Sequence, residues 1–122
     1  KAADWLQAKQ NEDGGWGEDC ASYWDGKGEE FDLSLPSQTA WAILGLMAAG
    51  RVDSDAVERG INFLTNSFDE DDGWAEDHYN AVGFPRVFYL KYHGYRWYFP
   101  LLALARYKDM QSRQDLRVGY GI

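Results

Sequence analysis

Asp69, Glu70, Asp71 and Asp72 stand side by side and are followed by Gly73. A carboxylic acid that donates its proton in catalysis must be held neutral in a dry pocket. Four adjacent acids in a glycine-terminated turn are ordinarily solvated, so this tetrad is expected to be exposed and non-catalytic. It does not fit a calcium loop either, because Gly73 falls one position early and the ligand series stops. Two further acidic pairs, Glu18-Asp19 and Glu76-Asp77, each follow a Gly-Trp stretch. His78 and His93 have no metal-ligand spacing with Cys20 and are read as surface or packing residues, so no metal site is expected. The other chemistry-bearing population is aromatic. Phe, Trp and Tyr make up 16% of the chain, with six Trp. Large rings can brace a fold, line a cavity, or stabilise a cation through their electron-rich faces.

These residues are carried by a repeating framework. Trp5-Leu6, then Asp13, Gly15, Trp16, Glu18 and Asp19, recur as Phe63-Leu64, then Asp71, Gly73, Trp74, Glu76 and Asp77; the offset is 74 − 16 = 58. The same offset relates Trp41 to Phe99, Leu44 to Leu102 and Leu46 to Leu104. The pattern predicts two tandem copies, 1–58 and 59–110, each reading helix, Gly-Trp loop, helix, with a tail over 111–122. Ala2 to Gln10 reads as a short amphipathic helix. Pro36 suits a first helical position, Thr39 to Ala49 is apolar nearly all round, and Gly50 ends it. Ser54 is placed to cap a helix whose stripe is Val57, Ile61 and Leu64. A last helix is expected from Pro100 to Met110. Gly17 to Leu35 is a long loop without periodicity, which suggests a packing or functional role. No sheet is expected: the aromatic stretch Phe84 to Tyr98 could pass for a strand, but an extended or helical wall fits it equally. The predicted fold class is all-α.

The balance of 20 acidic against 12 basic residues gives a net charge of −8, which speaks against a nucleic-acid partner. A single cysteine does not imply an oxidising compartment. The longest apolar run, Ala40 to Gly50, is too short for a membrane span. The chain starts at Lys1 without an initiator Met and is read as a piece of a longer protein.

Gln10-Asn11-Glu12-Asp13-Gly14-Gly15-Trp16 fits Q-x3-G-x-W. A Gln at a helix end can bond free backbone groups there, Gly permits the tight turn, and the indole covers the junction. Gln10, Gly14, Trp16, Gly73 and Trp74 are therefore expected to staple helices rather than do chemistry. This motif resembles the hallmark repeat of the triterpene cyclases. The resemblance extends through Gly15 to Cys20, Pro36 to Ala42, Gly83-Phe84-Pro85, Phe88-Tyr89-Leu90 and Tyr98-Phe99-Pro100-Leu101. In that order the segments look like the C-terminal stretch of squalene-hopene cyclases, from Ala2 to about Tyr107.

The resemblance implies a helical segment of an α/α barrel within an enzyme that converts squalene to hopene or hopanol by proton-initiated cyclisation, without metal or organic cofactor. It implies as partners squalene and the rest of the cyclase chain, in a monotopic, membrane-bound homodimer on the cytoplasmic side. It places Phe84, Phe88, Tyr92 and Tyr95 on the cavity wall as cation-stabilising rings, with Phe84 and Phe88 nearer the later cations and the tyrosines nearer the first-formed rings. Leu90 would shape the substrate. Read without the family, these five could simply pack a core. Glu18 could belong to the network that reprotonates the initiating acid, or be a solvated turn acid. Asp69 to Asp72 also reads as D-x-D-D, the pattern of the initiating acid in this enzyme class, yet it occupies the second Gly-Trp loop; the true acid is expected upstream of Lys1.

The chain departs from the family at Phe68, where a motif Gln would stand, and at Asp72, where its first Gly would stand. Asn80 to Gly83 and Arg86-Val87 also replace usual residues around Phe84-Pro85. Three other readings share some features: a related α/α-barrel terpene enzyme, an aromatic carbohydrate-binding or glycosidase module, and a helical scaffold whose rings are all core.

Overall fold

A computed structural model describes residues 1–23 and 32–113. It is mostly helical. Helix α1 spans Ala2–Ala8, and a single 3-10 turn covers Cys20–Tyr23. Helices α2 (Pro36–Ala48) and α3 (Asp55–Asn66) follow, and α4 (Tyr95–Arg113) closes the described chain. Between α3 and α4 lie two short strands, β1 (Ala81–Phe84) and β2 (Phe88–Leu90), paired antiparallel with Ala81 opposite Leu90 and Val82 opposite Tyr89.

Two expectations are corrected here. The fold is not all-α, because part of the aromatic stretch folds back as a hairpin. Pro85 and Arg86 turn the chain at its tip: the Val87 N–H donates to the Phe84 carbonyl at 3.0 Å, and Arg86 takes a positive φ of 65°. The last helix also starts earlier than Pro100. Its first turn is set by Tyr95, which donates to the Tyr92 carbonyl, and Tyr98, which donates to Gly94. Pro100 sits inside α4 and is buried, so tertiary packing outweighs the one helical bond that a proline omits. At its other end α4 runs through Arg113; residues 114–122 of the expected tail, like 24–31 of the expected long loop, lie outside the described residues.

The other helices follow their sequence signals. Pro36 is the first residue of α2, and Gly50 with φ 79° ends it. Ser54 caps α3, its hydroxyl accepting from the Val57 N–H at 3.4 Å. Helix α2 forms the centre of the core: Ile43, Leu44, Leu46 and Met47 are buried against Val57 and Leu64 of α3 and Ala103 and Met110 of α4. None of the described helices is long and apolar enough to cross a membrane.

Candidate functional site: two Gly-Trp junctions and an open aromatic face

The first Gly-Trp junction joins α1, α2 and α3. Trp16 is 5% exposed, and its indole N–H donates to the Leu6 carbonyl at 2.7 Å. Its backbone N–H donates to Thr39 Oγ1 at 2.9 Å, which ties the loop to α2. Gln10 Nε2 donates to the carbonyls of Gly14 and Ala56, both at 2.8 Å, clamping the turn to the start of α3. Gly14 has φ 90°, and a Cβ there would stand 2.6 Å from the Arg59 carbonyl oxygen. No other residue fits both constraints.

The second junction is wired alike. Trp74 is 2% exposed, and its indole N–H donates to the Leu64 carbonyl at 2.8 Å. The Asn11 N–H bonds the Gly15 carbonyl at 2.9 Å, and the Asp69 N–H bonds the Gly73 carbonyl at the same distance. Where Gln10 clamps the first turn, Phe68 packs edge-on against Trp74, ring centroids 4.8 Å apart. Gly73 has φ 68°, and a Cβ there would run into the Trp97 ring. Arg96 binds the Trp74 carbonyl at 2.8 Å and lies 5.5 Å from the Trp97 ring centroid.

Asp69 to Asp72 are all exposed. Asp69 Oδ1 accepts the backbone N–H groups of Asp71 and Asp72, each at 2.9 Å. The Asp72 and Asp71 amides hold the Asp69 carboxyl below its ordinary pKa. That is the opposite of what a proton donor requires.

The five cavity candidates are not core residues. Phe84 is 63% exposed and Phe88 45%; Leu90 and Tyr92 are also exposed, and Tyr95 is half-buried. They form two neighbouring groups. Phe84 and Phe88 face each other across the hairpin, centroids 5.7 Å apart and edge-on. Gly83 makes room for this, because a Cβ there would collide with the Phe88 ring. Leu90 lies two residues along the same strand face. Tyr92 stacks on Tyr95 at 4.9 Å, and Tyr95 meets Phe99 and Trp41 edge-on at 5.1 and 5.7 Å. This second group is anchored on α2 and α4.

Residue types alone concealed four participants. Asn80 accepts from the Tyr92 N–H at 2.8 Å and donates to the Tyr92 carbonyl at 3.1 Å, fixing the backbone under that ring. Trp41 and Phe99, 5.2 Å apart, brace Tyr95; their shared 58-residue offset was the available signal. Glu76 is buried, and its carboxylate accepts from the Ser37 N–H at 2.9 Å and from the Ser37 hydroxyl at 2.7 Å, at the start of α2. Its counterpart at the same offset, Glu18, is exposed. Beside it, partial burial, followed by the charges of Asp19 and Glu18, pushes the Cys20 thiol pKa up.

The model of the squalene-hopene cyclase C-terminal domain family matches residues 1–109, and the chain belongs to that family. A squalene--hopene cyclase of Zymomonas mobilis is 56% identical over 123 residues, covering 100% of this chain and 19% of that protein. The squalene--hopene cyclase of Alicyclobacillus acidocaldarius is 51% identical over 102 residues, covering 80% of this chain and 16% of that protein. A dammaradiene synthase of Dryopteris crassirhizoma is 41% identical over 132 residues, 96% of this chain and 19% of that protein. The chain thus spans about a fifth of the length of these relatives.

Proposed function

We propose that this chain is the C-terminal portion of a class II triterpene cyclase that converts squalene to hopene or hopanol, and that it supplies cavity wall and bracing repeats. The observation that carries this reading is the open aromatic face of Phe84, Phe88, Tyr92 and Tyr95, left uncovered while both Trp junctions are buried. Membership in the squalene-hopene cyclase family supports the substrate class. A polyene cation cascade needs walls that stabilise positive charge without offering a lone pair to trap it. Ring faces do this through their quadrupole, each contributing about 0.5 to 2 kcal/mol in a dry site. Phe84 and Phe88 are assigned to later cations, Tyr92 and Tyr95 to earlier ones, and Leu90 to steric shaping.

The same reading takes residues 1–58 and 59–110 as tandem copies within an α/α barrel. The paired bonds Trp16 to Leu6 and Trp74 to Leu64 support it, as do Asn11 to Gly15 and Asp69 to Gly73, all related by the offset of 58. The full-length enzyme is assigned to the cytoplasmic face of a membrane as a monotopic homodimer. Its initiating acid lies outside this chain: the lowered pKa of Asp69 and the exposure of its neighbours suit a solvated turn.

The test is Phe88→Ala in the full-length enzyme. Prematurely terminated polycycles should rise about tenfold relative to full-length product, since about 1.4 kcal/mol at one cation gives that partitioning. An unchanged product spectrum in both Phe88→Ala and Phe84→Ala would remove these rings from the cavity. The isolated chain should not turn over squalene, because it lacks the donor and much of the cavity; hopene formed by the purified chain would refute this.

A further inference from the structure

We propose that Glu18 caps the N-terminus of a helix supplied by the polypeptide that precedes Lys1, and so joins this segment to the rest of the enzyme. The inference rests on the tandem-copy reading above.

Three observations converge. First, the counterpart of Glu18 at the 58-residue offset is Glu76, which is buried and binds the Ser37 N–H and hydroxyl at the start of α2. Helix α2 needs this carboxylate. Its own capping residue is Leu35, which has no side-chain acceptor, so the first amides would otherwise lack partners. A carboxylate there also suits the positive end of the helix dipole. In this arrangement the loop of the second copy caps the second helix of the first. Carried back one period, the loop of the first copy should cap the second helix of a copy before it. That helix would start 58 residues ahead of Pro36, upstream of Lys1.

Second, Glu18 borders an open groove of about 680 Å³, whose lining includes Trp5, Leu6, Gln10, Trp16 and Trp41. Third, Trp5 is 61% exposed, whereas its counterpart Phe63 is half-buried against the core. Helix α2 packs against α3 and α4 of the second copy, and among the described residues no helix takes that place over the first. A carboxylate, an exposed indole and an open groove together fit a helix start with a hydroxyl residue at its second position and an apolar flank.

The inference competes with a role for Glu18 in reprotonating the initiating acid, and the full-length enzyme separates the two. Glu18→Ala and Glu76→Ala are compared for Tm and for the pH–rate profile. Capping predicts similar falls in Tm for the two variants, a smaller fall for Glu18→Gln, which keeps an acceptor oxygen, and no displacement of either limb of the profile. Two results would overturn it: Tm unchanged in Glu18→Ala while Glu76→Ala lowers it, or a displaced limb with Tm intact. An experimental structure of the full-length enzyme separates the two levels of the argument. If Trp16 superposes on Trp74 but no helix start lies within hydrogen-bond distance of Glu18, the capping proposal fails and the tandem reading stands. If the two indoles do not superpose, the tandem reading fails and takes the proposal with it.

Discussion

The indoles of Trp16 and Trp74 are buried, and each N–H is spent on a carbonyl ten residues earlier in the chain. The rings of Phe84, Phe88 and Tyr92 are exposed, held by one another and by the backbone beneath them. The same class of side chain is used in opposite ways within 122 residues. A closed, hydrogen-bonded ring contributes to stability through its packing and its indole bond. An open ring contributes little to the stability of this segment but presents a charge-stabilising face. Stability and product outcome should therefore respond to different aromatic residues.

The largest expected effect is on the closed side. Trp74→Ala should destabilise the protein by about 3–5 kcal/mol, measured by denaturant titration, and Trp16→Ala by a similar amount. Loss of less than about 1 kcal/mol from both would break the contrast. Trp74→Phe should cost less, about 1–3 kcal/mol, because it keeps the ring but leaves the Leu64 carbonyl without its indole donor.

Next comes Glu76→Ala, which strips the start of α2 of its acceptor and should cost about 1–3 kcal/mol. On the open side, Phe88→Ala should change stability by no more than about 0.5 kcal/mol while it redistributes cyclisation products. Gly83→Ala should redistribute them in the same direction, because the added methyl displaces the Phe88 ring. Gas chromatography of the products from the full-length variants, beside their thermal melts, reads both quantities.

The smallest effects concern titration. The Asp69 carboxyl has a folded pKa below its ordinary value, first through the Asp72 amide and then through the Asp71 amide. The stability it contributes is present above the unfolded carboxylate value of about 3.9 and is lost as pH falls through the lower folded value. Asp69→Asn should therefore lower stability slightly above that value, flatten the decline at the acid end, and leave activity near neutral pH unchanged. The Cys20 thiol, pushed up by partial burial and by Asp19 and Glu18, should alkylate more slowly at pH 8 than an unperturbed cysteine. Alkylation at the rate of a free thiol would contradict this environment.

Local signals determined a large part of the molecule. Pro36, Gly50 and Ser54 set helix ends through φ constraint, left-handed tolerance and side-chain capping, and each acts within a few residues in the chain. The 58-residue offset exposed both Gly-Trp junctions, and the ordered motifs from Gly15 to Leu101 gave the family. The aromatic candidates were named from that likeness. Their being open rather than core was not legible, because burial depends on which elements arrive from elsewhere in the chain. The hairpin was missed for a related reason. Rings and β-branched residues favour strands, but the strands are only four and three residues long, and a turn that places Arg86 at positive φ carries no glycine signal at that position. Pro100 misled because a proline marks a helix start only when packing does not outweigh the missing bond. Glu76 and Glu18 show the division most sharply. The sequence presents them as equivalent acids after equivalent tryptophans. Tertiary structure alone made one a buried helix cap and left the other exposed, because a carboxylate's role depends on whether a donor meets it.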